Sequence, residues 1–248
     1  YQMKAFTKIL VILILGFIKL NFGQNSTAEP FTFIFATDIH LQYERGAVEG
    51  FKKAIEEINK INPDFVITGG DLIMDALGVD YDRADSLYNL YIETAKLIDA
   101  HVYNTMGNHE VFGLYDTSNA LRTHPEFGEN IFEKRIGARY YSFIHKGVKF
   151  MILDSIEERP EGNRYHGKID KVQIEWIKNE LNNTWENTPI ILSTHIPFIT
   201  IISQLRGGSL KENSPGLVIE NSKEVLDLFE KHNLKLVLQG HLHFYEDI

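Results

Sequence analysis

Five short blocks of the chain carry side chains that bind divalent cations. They are Asp38-Ile39-His40, Gly70-Asp71, Gly107-Asn108-His109-Glu110, His195 and Gly240-His241-Leu242-His243. Carboxylate, imidazole and carboxamide groups suit hard to borderline metals such as Mn, Fe or Zn. The chain has no cysteine, so a thiolate-bound metal is excluded. Two blocks hold paired candidates two residues apart, Asp38 with His40 and His241 with His243. In extended backbone such positions point the same way, so each pair is expected to aim at one place. Glycines at 69, 70, 107 and 240 predict tight turns where a Cβ would crowd the cations.

Each block follows an apolar run that reads as a strand: 31–37, 65–68, 102–105, 190–194 and 234–239. Helical spacing marks 47–61, with Phe51, Ala54, Ile55 and Ile58 on one face, and a longer stretch from Tyr81 to Ala100. Lys146-Gly147 separates two further strands as a hairpin, so part of the sheet structure is antiparallel. Asp170 is placed as the cap of a helix running to about Leu181, and Ser222 as the cap of one running to about His232. The segment 200–216 reads as a long loop. The alternation predicts an α/β fold. In open α/β sheets ligands bind beyond the carboxyl ends of the strands, where these five blocks should converge.

In order and in type, the five blocks resemble the signature of the calcineurin-like metallophosphoesterase superfamily. The resemblance spans residues 31 to 243. It implies a four-layer sandwich of two mixed β-sheets flanked by helices, with the metal site at the C-terminal ends of strands. It further implies two divalent metal ions. One would be held by Asp38, His40, Asp71 and His243, the other by Asp71, Asn108, His195 and His241, with Asp71 bridging. His109 would bind no metal; it would contact the phosphate and donate a proton to the leaving group, oriented by a nearby carboxylate. A hydroxide shared between the metals would attack phosphorus in line. The stretch from Leu153-Asp154-Ser155 through Gly167 to Leu181 resembles cyclic-nucleotide phosphodiesterase-like members, and it also fits a helix packed beneath a sheet. Purple acid phosphatases carry a metal-binding tyrosine three residues after the bridging aspartate; Met74 stands there, which disfavours that subgroup.

The resulting expectation is a metal-dependent phosphoric ester hydrolase acting on a small phosphate mono- or diester. The alternatives are a catalytically silent binding module on the same fold, or a protein phosphatase. The remaining histidines (His101, His124, His145, His166 and His232) read as surface or turn residues, with His166 the best candidate to reach a substrate. Asp75 and Asp154 could support the ligands or cap turns, and Tyr43, Phe112, Tyr115 and Phe198 are candidate pocket walls.

The formal net charge is −9 over 248 residues. That disfavours a nucleic-acid or anionic-membrane surface. Lys4 and Lys8 precede an apolar run at 9–18, the pattern of a secretory signal peptide cut near Gly23-Gln24; an uncleaved N-terminal anchor is the alternative. Removing residues 1–23, with their three lysines, takes the charge from −9 to −12. The expectation is a secreted or periplasmic protein with no stable membrane association after cleavage. Its single metallophosphoesterase domain would cover residues 24–248. Family members continue with further strands beyond this point, which implies an incomplete C-terminal end.

Overall fold

A computed structural model describes residues 29–159, 161–162 and 164–247. The signal peptide expected at 1–23 lies outside the described residues. Three parallel strands, β1 (Phe33–Ala36), β2 (Phe65–Thr68) and β3 (His101–Tyr103), form one sheet in that order. Helices α1 (Ala47–Ile61) and α2 (Tyr81–Ala95) connect them. After the short helix α3 (Asn130–Arg135) come the hairpin strands β4 (Tyr141–His145) and β5 (Val148–Ile152). The small antiparallel pair β6 (Ile156–Glu158) and β7 (Tyr165–Gly167) follows, and then helix α4 (Lys171–Asn182) and β8 (Pro189–Ser193). Short helices α5 (Ile202–Gly207) and α6 (Ser222–Asp227) precede β9 (Asn233–Leu238). The second sheet runs β4-β5-β8-β9; its mixed character comes from the antiparallel β4–β5 pair beside parallel β5–β8 and β8–β9.

The period of two in the strands builds the layers. Phe33, Phe35, Phe65, Ile67 and Tyr103 on one face of the first sheet meet Phe143, Val148, Phe150 and Ile152 of the second. Phe33 stacks on Phe65 at 5.4 Å, and Phe150 stands edge-on to Phe65 at 5.1 Å, geometries that aromatic quadrupoles favour. The opposite face of the first sheet, Ile34, Val66 and Val102, joins the cluster that contains Phe51, Ile55 and Ile58 of α1 and Leu87, Tyr88 and Tyr91 of α2. Met151, Ile190 and Leu192 of the second sheet join the same cluster, as do Ile174, Ile177 and Leu181 of α4. The result is helix, sheet, sheet, helix.

Helix ends follow local chemistry. Asn62 ends α1 with φ at 52° ahead of Pro63, its N–H bonding Ile58 O and Asn59 O. Asp170 caps α4 as expected, accepting from Gln173 N at 2.7 Å. Helix α2 stops at Ala95 rather than Ala100. Asn59 of α1 intercepts the chain there: its amide donates to Leu97 O at 2.8 Å and its oxygen accepts from Asp99 N at 3.0 Å. The expected cap Ser222 is the first residue of α6; Asn221 precedes it, its side chain bound to both backbone groups of Ile169. The helix ends at Asp227, and turns carry the chain on to His232. The segment 200–216 is not all loop, since it contains α5.

Candidate metal centre

All five blocks meet at one end of the two sheets. Asp38, His40, Asp71 and His243 each place a donor atom within 4.8 Å of the others, and so do Asp71, His195 and His241. In the first group His40 Nε2 lies 2.9 Å from His243 Nε2 and 3.7 Å from Asp71 Oδ2, and His243 Nε2 lies 3.3 Å from Asp38 Oδ1. In the second, His195 Nε2 lies 3.2 Å from Asp71 Oδ1, from His241 Nδ1 and from Asn108 Oδ1. Asp71 is the one residue common to both groups, one oxygen turned to each. The resemblance named these same residues, with Asn108 added to the second set.

Asp38 and His40 serve one place as expected, but the extended backbone expected for both pairs is corrected, and so is the common target of His241 and His243. Asp38, His40, Asp71, His241 and His243 all have positive φ, between 47° and 75°. These side chains leave tight turns at strand ends, and His241 and His243 diverge into different groups. Left-handed conformations in non-glycine residues cost free energy and persist where the surroundings over-determine them. Backbone bonds do so here: Asp38 N donates to Gly70 O, His40 N to Asp71 O, and Gly240 N to His195 O. Asp38 also accepts the backbone N–H of His241 at 3.0 Å, which joins the first block to the last.

The glycines serve close approach. A Cβ on Gly70, whose φ is +88°, would sit 2.6 Å from His195 Nδ1, and one on Gly107 would collide with the Asp71 backbone nitrogen and carboxylate. The crowding that excludes a Cβ is therefore between ligand-bearing turns.

Protonation differs among the imidazoles. Burial lowers His40 below its usual range and, with His195 beside it, brings His241 down to about 4, so both rings offer lone pairs. Burial acts to lower His195 too, yet the Asp71 carboxylate outweighs it and raises the ring to about 9. Burial opposes ionisation of Asp71, but His195 and His109 hold it well below the usual carboxylate range. His195 Nδ1 lies 2.8 Å from Gly69 O, which directs Nε2 toward Asp71.

His109 joins neither group. Its backbone N–H donates to Asp71 Oδ1 at 3.0 Å, its Nε2 lies 3.7 Å from Asp71 Oδ2, and its ring stands edge-on to His40 at 4.7 Å. Its buried Nδ1 has no hydrogen-bond partner, so the orienting carboxylate expected for it is not found at that atom.

Sequence reasoning assigned no separate role to Glu110, the buried support beneath the site. Its two oxygens accept four backbone N–H groups: Asp71 at 2.9 Å and Gly107 at 2.7 Å on one, Leu72 at 2.8 Å and Ile73 at 3.2 Å on the other. The Gly107 bond is a capping-box contact, visible in sequence as Glu three residues after the cap. The other three reach across 37 to 39 residues, and no local pattern signals them. Burial and then Asp71 push the Glu110 carboxyl up to about 8, with the Gly107 N–H opposing.

Other candidates resolve differently. His166 is not offered to a substrate. It is buried, with Nε2 3.3 Å from Glu157 and Nδ1 3.1 Å from Glu220. Phe112 and Phe198 belong to the core. Tyr43 is exposed, with the Arg83 guanidinium 5.7 Å from its ring centroid. Asp154 is buried against Arg139, and its backbone is clasped by Gln173. Gln173, in the stretch resembling cyclic-nucleotide phosphodiesterases, thus ties α4 to the chain that follows β5. Asp75 accepts from Gly78 N at 3.3 Å.

The sequence model of the family described as calcineurin-like phosphoesterase matches residues 31–245. The chain belongs to the calcineurin-like phosphoesterase family. It is thereby a metal-dependent phosphoester hydrolase, in a family whose members hold dinuclear metal sites. Among curated proteins, no relative matches at significance. A crystal structure of a dimetal phosphatase from Danio rerio is similar in fold. Its TM-score is 0.58 at 15% identity, with 86% of this chain and 82% of that chain covered. The expected sandwich of two sheets flanked by helices is thus the family's fold.

Proposed function

We propose that this phosphoesterase hydrolyses a small phosphate mono- or diester at two divalent cations bridged by Asp71. The observation that carries the reading is the pair of donor groups with Asp71 in common. Asp38, His40, Asp71 and His243 would hold one cation, and Asp71, Asn108, His195 and His241 the other. The donor chemistry fits: two imidazole nitrogens 2.9 Å apart, each beside a carboxylate oxygen, are arranged as converging ligands. Bound there, the cations supply Lewis acidity to the phosphoryl oxygens and lower the pKa of water to near neutrality. His109 lies at the same carboxylate without joining either donor group, and it donates the proton that the departing oxygen needs. Asp71 orients it through the backbone bond at 3.0 Å. In-line attack by hydroxide from the side opposite the leaving group completes the reading.

The test is hydrolysis of a panel of phosphate mono- and diesters by protein loaded with Mn, Fe or Zn. Turnover of at least one ester that stops on chelation supports it; stoichiometric metal with no turnover supports the silent binding module. Export is a separate part of the proposal, motivated by the basic start and apolar run at 1–23. Its test is the N-terminal sequence of the protein recovered outside the cytoplasm. A start near Gln24 supports it, and retention of the apolar run in a cytoplasmic product contradicts it.

A further inference from the structure

We infer that the segment 215–221 is a positioning strap for the second cation: clamped on β7 by Gly167 and by the His166–Glu220 pair, it holds His241 with Nδ1 presented to that cation. The inference rests on the metal-centre reading above and adds what sets the affinity of one of its two sites. The contact that carries it is Gly216 O, 2.8 Å from His241 Nε2. A carbonyl only accepts, so Nε2 bears the hydrogen. In a neutral ring that leaves the lone pair on Nδ1, the atom 3.2 Å from His195 Nε2 and part of the second donor group. His195 is held in the same manner by Gly69 O, but Gly69 follows β2 directly. Gly216 belongs to neither sheet, so the place of its carbonyl depends on what fastens the strap.

Gly167 fastens it with both of its backbone groups. Its N–H donates to Pro215 O at 2.8 Å, and its carbonyl accepts from Glu220 N at 2.8 Å, a parallel pairing with Ile219. The approach is as close as a glycine allows: a Cβ there would collide with Val218 O and sit 2.8 Å from Ile196 Cγ2. His166, the neighbour of Gly167, is buried with Glu220 3.1 Å from Nδ1 and Glu157 3.3 Å from Nε2, so one ring joins β6 to the strap. Further along, Ile219 N donates to Pro197 O at 2.9 Å, and Asn221 binds both backbone groups of Ile169. The end that carries Gly216 depends on the Gly167–Pro215 bond beside it, so a displacement at Gly167 moves the carbonyl that His241 uses. A partner that fixes the tautomer and orientation of a ligating histidine is commonly worth about 10- to 100-fold in metal affinity.

Zinc titration followed by nitrogen NMR of the histidine rings reads the two sites separately: His195 and His241 report one ion, His40 and His243 the other. Gly167→Ala drives a Cβ against the strap and should weaken the His195–His241 site by roughly tenfold or more, while His40 and His243 respond at the wild-type zinc concentration. Glu220→Ala should weaken the same site. Glu220→Gln, whose amide oxygen still accepts from His166 Nδ1, should restore it. Gly216→Ala is the control, because its Cβ would meet the Tyr165 ring at 3.9 Å, an ordinary contact, and the carbonyl stays in place. Glu220 is exposed, so its variants decide the matter where Gly167→Ala fails to fold. Wild-type filling of the His195–His241 site in Gly167→Ala and Glu220→Ala overturns the inference, and so does an equal loss at both sites, the mark of general destabilisation. A wild type in which only one set of histidines responds to zinc overturns the two-cation reading and this inference with it.

Discussion

Replacing Glu110 with alanine removes the acceptor for four backbone N–H groups that have no route to bulk water. Each buried donor left unpaired costs about 1–3 kcal/mol. Four at the lower limit come to about 4 kcal/mol, and the released burial cost of the carboxylate subtracts from that. A net loss of about 3 kcal/mol is expected, a large share of the usual 5–15 kcal/mol of a domain. In a domain of this size it lowers the melting midpoint by roughly 6–12 °C. Three of the four groups belong to Asp71, Leu72 and Ile73, so the turn that aims Asp71 loosens and metal affinity falls with it. Glu110→Gln is the sharper variant. Above about pH 8, where the carboxyl is ionised and both oxygens accept, an amide with one oxygen must turn its NH₂ toward one of the two N–H pairs, and the glutamine should destabilise nearly as much as alanine although it fills the space. Thermal unfolding and metal analysis of both variants check this. Wild-type midpoints with full metal content in Glu110→Gln would refute the template role.

His109→Ala should keep fold and metal content while losing about 10²- to 10⁴-fold in turnover, the usual scale of general acid catalysis, measured on any ester that the wild type hydrolyses. Metal uptake should be linked to pH through His195. In the metal-free protein its pKa is raised from 6.5 to about 9, so the stability it contributes is present below about 6.5 and lost as pH rises through 9. Metal binding at neutral pH must displace that proton, so calorimetry in buffers of different ionisation enthalpy should show proton release that disappears above pH 9. No release at pH 7 would contradict the protonated His195.

The architecture was readable because period-two and period-3.6 patterns are imposed by burial. The runs 47–61 and 65–68, the hairpin about Lys146-Gly147 and the Asp170 cap all stand where those patterns place them. The two donor groups were readable because their residue types sit at strand ends in a recognisable order. What the sequence concealed depends on partners far along the chain. Asn59 trims α2, Glu110 binds the Asp71 turn, and His166 is taken up by Glu157 and Glu220 rather than by a substrate. The left-handed conformation of Asp38 escaped for a related reason. It is stabilised by tertiary bonds to Gly70 and His241, and no adjacent glycine or proline announces it.

The central claim is that Asp71 is shared by two cations, and metal stoichiometry of the wild type against Asp71→Ala tests it most directly. Elemental analysis after reconstitution should give two ions per wild-type chain. It should give a loss at both sites in the variant, because each donor group draws on one Asp71 oxygen. A variant that retains both ions at wild-type affinity, or a wild type that never binds more than one, would contradict the account.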